Sequence, residues 1–119
     1  MNHIELGKVG EDYAANYLSR KGFQIVDRNY RFGKLEIDII CTHENKLVFI
    51  EVKTRNSIAL GSPYLSVTPH KQRQIIKVSN RYIIENNRTE EVRFDIVSII
   101  YNSKKQELEH IVDAFYPIA

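Results

Sequence analysis

Two short apolar runs, Leu35-Glu36-Ile37-Asp38-Ile39-Ile40 and Leu47-Val48-Phe49-Ile50-Glu51-Val52-Lys53, carry charged side chains that an ordinary core would not admit. Each is rich in Ile, Val, Leu and Phe, and the polar Thr42-His43-Glu44-Asn45-Lys46 between them reads as a short connection, so the pair predicts an antiparallel hairpin. A hairpin turning about Glu44-Asn45 sets Asp38 opposite Glu51. Directly opposed residues have Cβ atoms about 4.5–5.5 Å apart, near enough for two carboxylates to share a cation and too near for two bare charges. Strand alternation adds Glu36 and Lys53 to that face. It turns Leu35, Ile37, Ile39, Val48, Ile50 and Val52 to the other, with Cys41 continuing that apolar face as a small buried residue.

Carboxylates and ammonium groups are costly to take out of water unless they are paired or bound to metal. Oxygen ligands from Asp38 and Glu51 suit a hard cation, Mg²⁺ or Mn²⁺, that keeps waters and recruits substrate phosphate. Lys53 beside them can hold the attacking water or offset charge on a pentavalent phosphate. Together these groups describe phosphodiester hydrolysis. The competing reading is a cross-strand network in which Lys53 simply neutralises Asp38 or Glu51.

Around the hairpin, the spacing predicts a helix from Gly7 to Arg20, with Glu11, Ala14, Ala15 and Leu18 on one stripe. Glu11 heads that stripe, either favouring the helix dipole or delivered beside Asp38 and Glu51 as an outer metal ligand. Phe23 to Tyr30 reads as a first strand at a sheet edge, with Arg28, Arg31 and Lys34 gathered near its end. Thr68-Pro69 fits an N-cap and a proline at the first helical position of a second helix, whose stripe of Ile75, Val78, Tyr82 and Ile83 runs through to Glu85. Lys71 lies near its start on the packed side, where a lysine opposes the dipole and a phosphate contact would explain it; Gln74 is on the same side. The row Arg73, Lys77, Arg81 is read as a solvated face.

Val92 to Tyr101 and Leu108 to Phe115 follow as strands. Asp95 within the first of them is expected to pair with Arg93 or with a basic group of a neighbouring strand, outside any catalytic role. The order is therefore αβββαββ, an α/β sandwich with a mixed sheet, in one domain spanning residues 1–119. Histidines at 3, 43, 70 and 110 lack ligand spacing for zinc. There is no long apolar run, and the first residues lack a cationic segment followed by an apolar one, so a cytoplasmic protein without membrane contact is expected. A net charge of +2 says little, but basic residues cluster at Arg28 to Lys34, Lys53 to Arg55 and Lys71 to Arg81, a distribution suited to nucleic acid.

Asp38 followed by Glu51-Val52-Lys53 resembles the Asp…(Asp/Glu)-x-Lys core of the restriction-endonuclease-like nucleases. The wider series is narrower: Gly7…Gly10-Glu11-Asp12-Tyr13-Ala14-Ala15, Arg28-Asn29-Tyr30-Arg31, Glu36-Ile37-Asp38, Val48 to Arg55, Gly61-Ser62-Pro63, Lys71 and Arg93-Phe94-Asp95. It is similar to the YraN family of small bacterial proteins over nearly the whole chain. The resemblance implies a restriction-endonuclease-like three-layer α/β/α sandwich, nucleic-acid binding and a likeness to archaeal Holliday-junction resolvases. Carried onto this chain, it implies Glu11, Asp38, Glu51 and Lys53 as catalytic residues, with Asp38, Glu51 and Glu11 at the metal. The helix start and the basic clusters add Lys71, Gln74, Arg31 and Arg55 as candidates for nucleic acid, and the resolvase likeness implies a homodimer. Leu35 stands where the family usually has glycine. A non-catalytic nucleic-acid-binding module that keeps the fold is the alternative.

Overall fold

The computed structural model describes residues 1–117. The first helix, α1 (His3–Arg20), starts four residues before the expected Gly7, because Asn2 caps it: its side chain accepts the Glu5 N–H at 2.8 Å, and Glu5 reaches back to the Asn2 N–H. Three strands follow, β1 (Gln24–Phe32), β2 (Leu35–His43) and β3 (Lys46–Arg55). A short 3₁₀ turn (Pro63–Ser66) leads to α2 (Pro69–Glu85), capped by Thr68 Oγ1 accepting from Lys71 N–H, then β4 (Glu91–Tyr101) and β5 (Gln106–Phe115). The order is the expected αβββαββ.

The sheet runs β1-β2-β3-β4-β5, parallel between β3 and β4 and antiparallel elsewhere, so β1 is an edge as the sequence indicates. Helix α2 is the crossover that makes the one parallel pairing possible. The helices cover opposite faces. Ala14, Ala15 and Leu18 of α1 pack on Ile39, Cys41, Val48, Ile50, Val97 and Ile99. On the other face Ile75, Val78 and Tyr82 of α2 pack on Ile37, Ile40, Leu47, Phe49, Phe94 and Ile96. With both faces covered, the central strands are apolar on both sides, which is why β3 and β4 are almost continuously hydrophobic. This three-layer arrangement is restriction-endonuclease-like. No helix among the described residues is long and apolar enough to cross a membrane.

The structure overturns one part of the hairpin reading. Leu35 and Ile37 pack toward α2 while Ile39 and Cys41 pack toward α1, so they do not share a face with one another. Alternation reverses at Asp38. Opposite it, between the pairs Arg28–Ile39 and Tyr30–Ile37, Asn29 adopts a left-handed φ of 54°, which turns β1 in step. Glu51 therefore lies on the α2 side with Leu47 and Phe49, whereas Glu36 approaches α1.

Candidate functional site

The β2–β3 ladder follows the register set by a turn at Glu44-Asn45, from His43–Lys46 through Ile39–Ile50, and there it stops. Beyond that point β2 stays paired only with β1, and β3 only with β4. The two strands fork, and Asp38 and Glu51 are the first residues past the last pair. Asp38 Oδ2 accepts the Val52 N–H at 2.8 Å, taking up a backbone donor that the parting strand leaves free.

The two carboxyl groups face one another at this fork. Burial first, and then the Glu51 carboxylate, pushes the Asp38 carboxyl well above the usual carboxylate range, against the opposing pull of the Val52 N–H. Glu51 is 5% exposed. Its Oε2 receives no hydrogen bond, although Lys71 Nζ stands 3.4 Å away. That contact lacks hydrogen-bond geometry, so a buried carboxyl oxygen keeps an unused lone pair.

On the α1 side, carboxylate oxygens of Glu11, Glu36 and Asp38 all lie within 4.8 Å of one another. Glu11 is already well supplied. Arg28 donates to its Oε1 from Nε at 3.1 Å and Nη2 at 2.9 Å, and Asn29 Nδ2 donates to its Oε2 at 3.0 Å. Arg28 also holds Asp12 at 2.7 Å. Asn29 reaches Glu36 at 3.3 Å, and Arg31 pairs with Glu36 at 2.8 Å.

The fold thus brings Asp38, Glu51, Glu11 and Glu36 around one fork, with Lys71 against Glu51. Lys53, two residues beyond Glu51, shares its side by alternation and sits at half-burial. Of the residues expected at nucleic acid, Arg31 is engaged by Glu36, Gln74 lies 3.2 Å from His70 on the helix surface, and Arg55 is exposed at the end of β3. Two contributors were not assigned a role from the sequence, Glu36 and Asn29. An asparagine inside a strand is the signal for the second, since it tolerates the left-handed backbone that turns Asp38 into the site.

A second buried charge lies apart from this cluster. Asp95, 0% exposed, accepts two bonds from Arg93 at 2.9 and 2.8 Å and the Asp113 N–H at 3.0 Å, and lies 2.7 Å from His110 Nε2. Burial opposes its ionisation, but the bonds from His110, Arg93 and Asp113 together hold its carboxyl below the usual range. With every oxygen supplied, it ties β4 to β5, meeting both of the partners expected as alternatives, Arg93 and a basic group of the neighbouring strand.

Comparison with known proteins matches residues 10–99 to the model of Uncharacterised protein family UPF0102. A UPF0102 protein of Flavobacterium psychrophilum is 46% identical over 114 residues, covering 96% of each chain. One from Caldanaerobacter subterraneus subsp. tengcongensis is 42% identical over 97% of this chain and 98% of its own. One from Chlorobium phaeobacteroides is 46% identical over 92% of each. Similarity of this extent, running across both helices and all five strands, makes the chain a member of the UPF0102 family.

Proposed function

We propose that the protein is a Mg²⁺- or Mn²⁺-dependent nuclease-like protein that hydrolyses phosphodiester bonds in DNA, with branched or single-stranded DNA as its substrate. The observation that carries this reading is the buried Glu51 oxygen without a hydrogen bond, facing a carboxyl whose ionisation burial and Glu51 oppose. Two such groups fit a hard cation, which would remove the repulsion and use the free lone pair. Asp38 and Glu51 would hold it, with Glu36 and Glu11 within reach on the α1 side; Glu11, already bound by Arg28 and Asn29, would orient the cluster rather than ligate.

When bound, the cation supplies Lewis-acid polarisation of a phosphoryl oxygen and acidifies its water. The chain contributes the rest. The Val52 N–H fixes the Asp38 carboxyl, the fork keeps the two carboxyls facing, and Lys53 on the Glu51 side would bind water or phosphate. Lys71, drawn off Glu51 by a competing cation, is free to meet a phosphate.

A second reading has its own support. Glu11, Glu36 and Glu51 each have a basic neighbour, in Arg28, Arg31 and Lys71, as a structural network would. In that case the protein binds nucleic acid without cutting it. Incubation of single-stranded, duplex, flapped and four-way-junction DNA with Mg²⁺ or Mn²⁺ separates the two. Cleavage that disappears in Asp38→Asn and Lys53→Ala is the expected result; binding without cleavage of any substrate favours the second reading.

A further inference from the structure

Two glycines lie inside α1, and only one has a packing reason. A Cβ at Gly10 would stand 1.8 Å from Thr54 Oγ1 and 2.8 Å from Thr54 Cβ, so helix and β3 could not approach as they do. A Cβ at Gly7 would meet nothing within 4 Å, and Gly7 has ordinary helical backbone. A helix interior disfavours glycine relative to alanine. Neither packing nor conformation explains Gly7.

Gly7 borders a cleft of about 560 Å³ between the start of α1 and the end of β3, a volume typical of sites for small organic groups. Leu6, Val52 and Leu60 give it apolar walls, and Asn56 offers an amide donor and acceptor. His3, Lys53 and Arg55 border it, the last two on the strand whose alternate residues Val52 and Thr54 face α1. Leu60 is 94% exposed, an apolar side chain held in water at the mouth. Val52, whose N–H Asp38 accepts at 2.8 Å, forms part of the wall, so the cleft opens beside the acidic fork.

We propose that this cleft receives one unpaired nucleotide of the substrate next to the phosphate addressed by Asp38, Glu51 and Lys53, a proposal that rests on the nuclease reading of that cluster. Apolar Leu6 and Val52 suit the faces of a nucleobase, Asn56 suits its edge, and the basic residues that border the cleft suit the anionic backbone. Gly7 keeps the volume open. A paired base cannot enter, so the cleft selects flaps, single strands and branch points over continuous duplex.

The test uses the full chain and a flapped duplex whose first unpaired nucleotide is 2-aminopurine, without divalent cation so that no strand is cut. Wild type is expected to change the probe's emission and to bind the flap more tightly than the fully paired duplex. Gly7→Leu, which fills the cleft from a helical position, should abolish the emission change and weaken flap binding about tenfold, leaving duplex binding intact and the melting temperature no lower. Leu60→Ser, at an exposed side chain that cannot unfold the protein, should act in the same direction. Flap binding and emission unchanged in both variants overturn the cleft assignment and leave the nuclease reading standing. A protein that binds neither DNA, as wild type without cation or as Asp38→Asn with Mn²⁺, overturns both.

Discussion

Asp38 Oδ2 accepts the Val52 N–H at 2.8 Å across the gap where β2 and β3 part. That single bond holds one carboxyl of the site to the backbone of the strand bearing the other. It also determines how the site responds to pH and to substitution.

Burial and the Glu51 carboxylate raise the Asp38 carboxyl well above its ordinary value of 3.8. The folded protein then keeps a proton that the unfolded chain has released, so this group's contribution to stability is intact below that ordinary value. It is lost as pH rises through the raised folded value. Asp38→Asn retains an acceptor for Val52 N–H and removes the ionisation. In chelator-treated buffer, thermal melting from about pH 4 to about pH 8 should show wild type losing stability relative to Asp38→Asn as pH rises. Mn²⁺ should restore wild type alone. Parallel melting curves at every pH would refute the repulsion between Asp38 and Glu51.

Lys71 Nζ stands 3.4 Å from Glu51 Oε2 and is one-third exposed, so water screens part of the attraction. Lys71→Met should cost about 1 kcal/mol of stability in metal-free urea unfolding. Saturating Mn²⁺ should erase that difference, because the cation takes over the role of counter-charge at Glu51. A loss that persists with Mn²⁺ would mean Lys71 acts elsewhere.

Asp95 provides the contrasting case. Its carboxyl is held below 3.8, so it stabilises the fold above its unfolded value and that stability is lost as pH falls through the folded value. Asp95→Asn breaks a buried pair with Arg93 and His110 and should cost about 3 kcal/mol at neutral pH. The loss should shrink in acid. Metal binding at the β2–β3 fork should survive, since Asp95 pairs with none of its residues.

The two helical glycines make a direct comparison. Gly10→Ala drives a methyl into Thr54 and should destabilise by about 1–3 kcal/mol. Gly7→Ala meets no atom and should stabilise by about 0.5–1 kcal/mol. Chemical denaturation of both variants checks the contrast. Destabilisation by Gly7→Ala would point to a packing role that the cleft does not show.

Much of this architecture was legible from periodicity and caps. Thr68-Pro69 marked the start of α2, the stripe of Ala14, Ala15 and Leu18 marked the buried face of α1, and a turn at Glu44-Asn45 fixed the β2–β3 register. The faces of β2 were not legible. Strict alternation put Ile37 with Ile39, but the left-handed Asn29 and the fork at Asp38 reverse β2 there, and a reversal leaves no mark in an apolar pattern when both faces of a sheet are buried. The ion pairs of Arg28 with Glu11 and Arg31 with Glu36 were hidden for a related reason. They join residues distant in the chain or across a strand turn, and only the fold brings them together.

Isothermal titration of Mn²⁺ into the chelator-treated protein addresses the acidic fork itself, apart from any substrate. The predicted result is saturable binding to wild type that is lost in Asp38→Asn and in Glu51→Gln, with Asp95→Asn binding as wild type does. No binding, or binding to Asp38→Asn equal to wild type, would contradict a cation site at Asp38 and Glu51 and leave the pair as a structural element of the sheet.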